Sequence, residues 1–417
     1  MSGQQKGHAE NLIDILSTQV GVKQQEIDAL LDMTRAINEN VSEKQMLQIF
    51  DFTLMVHLKV KRIAVFLHDE NWNMAFQRQA KAITNELEVE RDLLQFKEVK
   101  KYEENEARPE AIKDFDLIIP VRHKNNPIAF LLMGYPHTES YEVMEEKVRF
   151  IEAFANIVVV AIENKKLFKR QLEQEGMKRE LKVAAQVQNL LIPNVLPDNE
   201  FVQMAAVYLP HRNVGGDYYD YIQLSKDEFV FVIADISGKG TGAALLMANF
   251  QANVRALIKT ASINLKGFVR QLNENILGIT QGEKFITMFL GRYNVQSRKL
   301  NYISCGHNPT VLYQDGETHL LSEGCTIIGM FEELPSVKVG SVDISKNAVI
   351  VNYTDGVTDL ENEHGLNYST DHLVHYLQRN PDTQMKPFIK GIMTEIYQFK
   401  GEMEYVDDIT MLALRLH

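Results

Sequence analysis

Four short segments place aspartates close to glycine, serine, threonine or a second acid, each where an apolar run meets a turn. They are VGGDYYD (214–220), VIADISGKG (232–240), VNYTDGVTD (351–359) and EYVDDIT (404–410), and the side chains concerned are Asp217, Asp235, Asp355, Asp407 and Asp408. One such acid is an ordinary surface feature, whereas four segments within one stretch of chain make a constellation. Carboxylates brought together repel one another unless they stay protonated or a cation joins them. An all-oxygen ligand set points to a hard ion, Mg²⁺ or Mn²⁺, and no thiolate or histidine cluster suits structural zinc. Two such ions about 3.5–4 Å apart would bind a phosphoryl group and lower the pKa of a water between them, so no side-chain nucleophile is needed. No Gly-x-Ser-x-Gly elbow is present. The glycine-rich SGKGTG (237–242) lacks the P-loop spacing, because Lys239 precedes Gly240 and Gly242. Its loop-to-helix character allows only a modest anion-binding role through backbone N–H groups.

The elements that must position these acids follow from the apolar periodicity. Strands are expected at 204–209, 228–235, 284–293, 299–304, 310–313, 336–344, 348–355 and 409–416, and helices at 242–260 and 266–278, with two more in 371–400. Many strands with a few long helices suggest sheets covered by helices, in one domain over 198–417. Ahead of it lie a polar segment (1–25), a helical region from about Glu26 to Leu58, a strand at 60–70, a helix at 81–97, two strands within 115–135 and a long helix over 146–170. These form an α+β domain over 26–165 that carries no clustered chemistry. The charged, helix-friendly stretch 166–197, stopped by Pro193 and Pro197, reads as a helical linker whose leucines and valines can pair with a second copy.

Composition bounds the partners. With 44 basic and 56 acidic residues the chain carries a net charge of −12, which argues against a nucleic-acid binder and against a polybasic membrane anchor. No apolar run approaches the ~20 residues of a membrane span, and no signal peptide is recognisable, so a soluble, cytoplasmic protein is expected. The two cysteines, Cys305 and Cys325, rule out a disulfide scaffold and are expected as reduced thiols, with Cys305 a small buried hydrophobe.

Taken in order, the segments VAAQVQNLLIP (183–193), YLPHRNVGGDYYD (208–220), ADISGKGTGAALLMA (234–248), FITMFLG (285–291), SCGHNP (304–309), YTDGVTD (353–359) and DDITMLALR (407–415) resemble the SpoIIE/RsbU-type serine/threonine phosphatases. These are bacterial members of the PPM metal-dependent phosphatase superfamily. The resemblance implies an α-β-β-α sandwich with two Mn²⁺ or Mg²⁺ ions held at one edge. It makes Asp217, Asp235 and Asp355 ligands, with the backbone carbonyl of Ile236. It ranks Asp407 ahead of Asp408 as the last ligand, and it places Arg212 on the substrate phosphate. His211 departs from the small residue usual after the proline. His307 is expected to hold loop hydrogen bonds rather than to transfer protons.

The front half resembles a GAF sensor domain, most closely in the 115–135 hairpin and the helix that follows it. The implied substrate is a phosphorylated STAS-type anti-sigma-factor antagonist in a partner-switching pathway, and a homodimer through the GAF-like domain and linker is expected. Two other readings stay open at this level: a phosphatase-like binding module with little catalysis, and a metal-dependent phosphohydrolase of small molecules.

Overall fold

The computed structural model describes residues 2–56, 58–79, 87–103, 106–123, 126–134, 141–259 and 264–417. The chain divides into two compact units, Met1–Gln174 and Glu175–His417.

The first unit is built from α1 (Ser2–Asn38), α2 (Glu43–Val56), β1 (Arg62–His68), β2 (Trp72–Arg78), α3 (Val89–Asp92), β3 (Lys100–Lys101), β4 (Leu117–His123), β5 (Asn126–Gly134) and α4 (Tyr141–Asn189), which continues past the unit boundary. Its antiparallel sheet has the order β2-β1-β5-β4-β3. Alternation decides what covers each face. Ile63, Val65, Leu67, Leu131 and Met133 pack against α1, α2 and α4 through Met33, Phe50 and Phe154. Ala64, Phe66, Phe130 and Leu132 pack against Leu93, Tyr102 and Phe115.

Three expectations change here. The polar segment 1–25 is helical from Ser2, continuous with the residues after it. The helix expected over 26–58 is broken, because Asn40 takes a left-handed φ of 54° and Ser42 restarts the chain. Gln45 Oε1 accepts the Ser42 N–H at 2.9 Å and Ser42 Oγ accepts the Gln45 N–H, a reciprocal cap that fixes the start of α2. The helix expected over 81–97 is the single turn α3 within the described residues, while 81–86 lie outside them. The Asp92 carboxylate accepts the Glu88 N–H at 2.9 Å, a local bond that competes with further helical turns. His57 also lies outside the described residues.

The second unit continues with β6 (Val202–Leu209), β7 (Tyr218–Gln223), β8 (Glu228–Ile236), α5 (Thr241–Ile258), α6 (Leu265–Thr280), β9 (Ile286–Asn294), β10 (Lys299–Cys305), β11 (Thr310–Gln314), β12 (Glu317–Leu321) and β13 (Gly324–Cys325). It closes with β14 (Gly340–Asp343), β15 (Ala348–Tyr353), α7 (Asp355–Thr358), α8 (Thr370–Arg379), α9 (Met385–Lys400) and β16 (Ile409–Leu416). One sheet runs β13-β10-β9-β8-β7, with β14 also on β10, and the other runs β12-β11-β15-β16-β6.

Period-two burial sorts the side chains into three layers. Phe229, Phe231 and Ile233 meet Ile350, Leu412 and Leu414 between the sheets. Val230, Val232 and Ala234 pack under α5 and α6. Val349, Val351 and Tyr353 pack under α8 and α9. The result is the expected α-β-β-α sandwich. Strand β7 escapes the periodicity reading because YYDYIQ carries no simple apolar alternation. In the 336–344 run only Gly340–Asp343 pairs as a strand.

Candidate metal centre

The acids reach one region because the strands that carry them end together. Asp217 immediately precedes β7, Asp235 lies near the end of β8, Asp355 follows β15 as the first residue of α7, and Asp407 and Asp408 lead into β16. Asp217 is fully buried, and its Oδ2 accepts hydroxyl hydrogen bonds from Thr354 at 2.8 Å and Thr410 at 2.5 Å. Burial, then the charge of Asp235, push the Asp217 carboxyl well above the usual range, and the two threonines oppose that rise. Burial first, then Asp355, Asp407 and Asp408, push Asp235 up to about 7. Asp355 is also raised, by burial and by the charges of Asp359 and Asp407, against the Gly356 N–H and Lys239.

The two acids of the last segment do different work. Asp408 accepts the backbone N–H of His211 at 2.7 Å and of Gly216 at 2.6 Å, one on each carboxylate oxygen, and so ties the 211–216 loop to the start of β16. Asp407 pairs instead with Lys239 Nζ at 2.8 Å, and that ammonium also donates to the Val406 carbonyl at 2.7 Å. Glycine is required where these pieces touch. A Cβ at Gly215 would collide with the Asp408 carboxylate, one at Gly356 with the Asp408 carbonyl oxygen, and one at Gly216 would fall 2.8 Å from the Ile236 carbonyl. The glycines of V-G-G-D and T-D-G are therefore spacing devices that let the four acidic segments approach.

Among the described residues, no group of three or more His, Cys, Asp or Glu side chains is drawn tightly enough to hold a metal ion as it stands. The donor chemistry nevertheless fits hard divalent ions. Burial and the charge of neighbouring acids hold the Asp217, Asp235 and Asp355 carboxyls high. A divalent cation among them would offset that repulsion.

Arg212 is exposed and makes no hydrogen bond or ion pair among the described residues. His307 is buried, with Nδ1 2.9 Å from Thr287 Oγ1, and burial pushes its pKa down to about 4. The imidazole is therefore neutral at physiological pH. Asn308 Nδ2 donates to Thr358 Oγ1 at 3.2 Å, linking that turn to α7 and Asp355.

Sequence pattern does not single out Thr354, Thr410, Lys239 or Gln188 as site residues. The threonines lie one and two residues from strand-end acids, a weak signal. Lys239 stands out only as part of a glycine-rich run without P-loop spacing. Gln188, in the last turn of α4, is buried and grips one residue of the 211–216 loop from both sides. Its Nε2 donates to the Gly215 carbonyl at 2.6 Å, and its Oε1 accepts the Gly215 N–H at 3.2 Å. Replacing Gln188 with alanine leaves both buried backbone groups unsatisfied. It is expected to destabilise the second unit by roughly 1–3 kcal/mol, read as a lower urea midpoint.

Two helix-faced sheets with acids gathered at their strand ends define a PP2C-like phosphatase domain. The SiaA-PP2C domain of Pseudomonas aeruginosa superposes with a TM-score of 0.53 at 19% identity, covering 59% of this chain and 99% of that one. Residues 225–417 match the family described as stage II sporulation protein E (SpoIIE). Among curated proteins, the chain is 28% identical over 244 residues to the phosphoserine phosphatase RsbU of Bacillus subtilis, covering 58% of this chain and 71% of RsbU. It is 26% identical over 238 residues to the phosphoserine phosphatase RsbP of the same organism, covering 55% of this chain and 56% of RsbP. It is 29% identical over 272 residues to Protein IcfG of Synechocystis, covering 58% of this chain and 42% of IcfG. The chain thus spans about half the length of the last two relatives.

Proposed function

We propose that the protein is a metal-dependent serine/threonine phosphatase whose substrate is a phosphorylated STAS-type anti-sigma-factor antagonist in a partner-switching pathway. The observation that carries this reading is the meeting of four acidic strand ends at one edge of a SpoIIE-type sandwich. In it Asp217, Asp235, Asp355 and Asp407, with the Ile236 carbonyl, would hold two Mn²⁺ or Mg²⁺ ions. Asp408 accepts backbone N–H groups on both carboxylate oxygens, while Asp407 accepts the Asp408 N–H on Oδ1 and pairs with Lys239 through Oδ2; the family resemblance ranks Asp407 as the direct ligand, with Asp408 assisting. When bound, the ions would supply Lewis acidity and an activated water for in-line attack on phosphorus. Thr354 and Thr410 fix the Asp217 carboxylate in one orientation. Arg212 has a guanidinium free to fork onto two phosphate oxygens. The test is ion-dependent phosphate release from a phosphorylated STAS protein compared with nucleotides; faster hydrolysis of the nucleotides overturns the assignment of a protein substrate.

The front unit supports a GAF-like sensor over 26–165, since its antiparallel sheet is covered on both faces, with the terminal helix running on as the linker 166–197. No helix among the described residues is long and apolar enough to cross a membrane, and a cytoplasmic site of action is part of this reading. Homodimerisation is supported by exposed apolar residues on α1 (Ile13, Leu16, Val20, Ile27, Leu31) and on α4 (Leu167, Phe168, Leu172, Val183, Val187). A water-facing stripe of this kind gains stability by pairing. Sedimentation of the full chain is expected to give a dimer and of residues 198–417 a monomer; equal monomeric behaviour excludes pairing through the helices.

A further inference from the structure

The two cysteines are distant in the chain and side by side in the fold. Cys305 closes β10 and Cys325 closes β13, two parallel neighbours in one sheet, where the cysteines are directly paired across the strands. Their sulfurs are 3.4 Å apart, within hydrogen-bonding reach of each other. Both thiols are free.

The register of the pair is locked from both sides. Ser304 N–H donates to the Glu323 carbonyl at 2.9 Å, and Gly306 N–H donates to the Cys325 carbonyl at 3.1 Å. Gly324 allows the close approach, since a Cβ there would collide with the Ser304 backbone. Adjacent strands lie about 4.8 Å apart, within the Cα separation a disulfide accepts. Both side chains belong to the helix-covered face of the sheet. Cys305 is fully buried and Cys325 is partly exposed.

We propose that Cys305 and Cys325 are an oxidation site that closes to a reversible intramolecular disulfide with hydrogen peroxide as the oxidant. Peroxide oxidises the accessible Cys325 thiol to a sulfenic acid and releases one water. The Cys305 sulfur then attacks the Cys325 sulfur, the S–S bond forms, and the sulfenic oxygen leaves as a second water. Two thiols lose two electrons and two protons, and one peroxide becomes two waters. Hydrogen bonding with Cys305 lowers the Cys325 pKa against the opposing effect of burial, which favours the reactive thiolate. Closure acts on the turn that follows Cys305, where His307 and Asn308 are tied to Thr287 and to Thr358 of α7.

The test treats the full chain with peroxide, counts free thiols after denaturation and maps unreduced peptides. Both thiols are expected to disappear together, with a linked Cys305–Cys325 peptide in monomeric chains and full recovery on adding dithiothreitol. Cys325→Ser is expected to keep the Cys305 thiol through the same treatment, and Cys305→Ala to leave Cys325 passing to irreversible sulfinic acid. Two thiols still free, or links only between chains, overturn the proposal. A several-fold fall in phosphate release on closure is expected as well. That arm alone rests on the phosphatase reading, and an unchanged rate in fully linked protein overturns the coupling to the His307–Asn308 turn.

Discussion

Asp217→Asn is expected to lower phosphate release from a phosphorylated STAS protein by roughly 10³-fold, the equivalent of about 4 kcal/mol of transition-state stabilisation. The substitution is chosen because it spares the fold. The asparagine oxygen can still accept the Thr354 and Thr410 hydroxyls that hold Oδ2. What disappears is the negative charge at the centre of the acidic edge, and an amide nitrogen cannot ligate a hard cation. Asp355→Asn is expected to act in the same direction, from the start of α7. A variant midpoint no lower than that of wild type, measured in chelator, separates lost chemistry from lost folding, since removing one of the repelling acids can only raise it. Activity within about threefold of wild type in both variants would sink the metal mechanism.

The second large effect is on stability, and its sign depends on the ions. The folded pKa of Asp235 is raised from 3.8 to about 7, and that of Asp217 is raised well above its ordinary value. Between the unfolded and folded pKa values the native state binds more protons than the unfolded chain. Stability in chelator is therefore expected to be fullest below about pH 4 for this contribution and to fall as pH rises toward about 7. For Asp235 the loss is on the order of a few kcal/mol. Added Mn²⁺ or Mg²⁺ reverses the trend, because the ions bind the ionised acids, so the gain in thermal midpoint on adding metal grows with pH. Asp235→Asn is expected to flatten the chelator profile over this range. A midpoint in chelator that is flat from about pH 4 to about pH 7 in wild type contradicts the assignment of repelling acids.

Much of the second unit was legible because period-two burial is written directly into its strands. The run 409–416 is a strand over those same residues, since both of its faces are buried and every position is apolar or shielded. The acids Asp217, Asp235, Asp355, Asp407 and Asp408 were legible as a set because each sits at a strand end within two residues of a glycine, a hydroxyl residue or another acid. The first unit was less legible. Apolar spacing shows helix over 26–58 but not the left-handed Asn40 that splits it. A polar stretch such as 1–25 gives no core-facing stripe from which to infer its helix.

By itself, the sequence determined the layered class of the second unit, the oxygen-only chemistry of its acids and the residue types that could hold hard ions. All of these depend on local pattern and side-chain type. Only the tertiary structure decided the division of labour within that set. Asp408 ties down the 211–216 loop while Asp407 faces Lys239. Thr354 and Thr410 orient Asp217, Gln188 grips Gly215, and two cysteines from different strands meet sulfur to sulfur. Each of these is a contact between segments distant in the chain. Their geometry is set by which strands become neighbours, and no local periodicity encodes that.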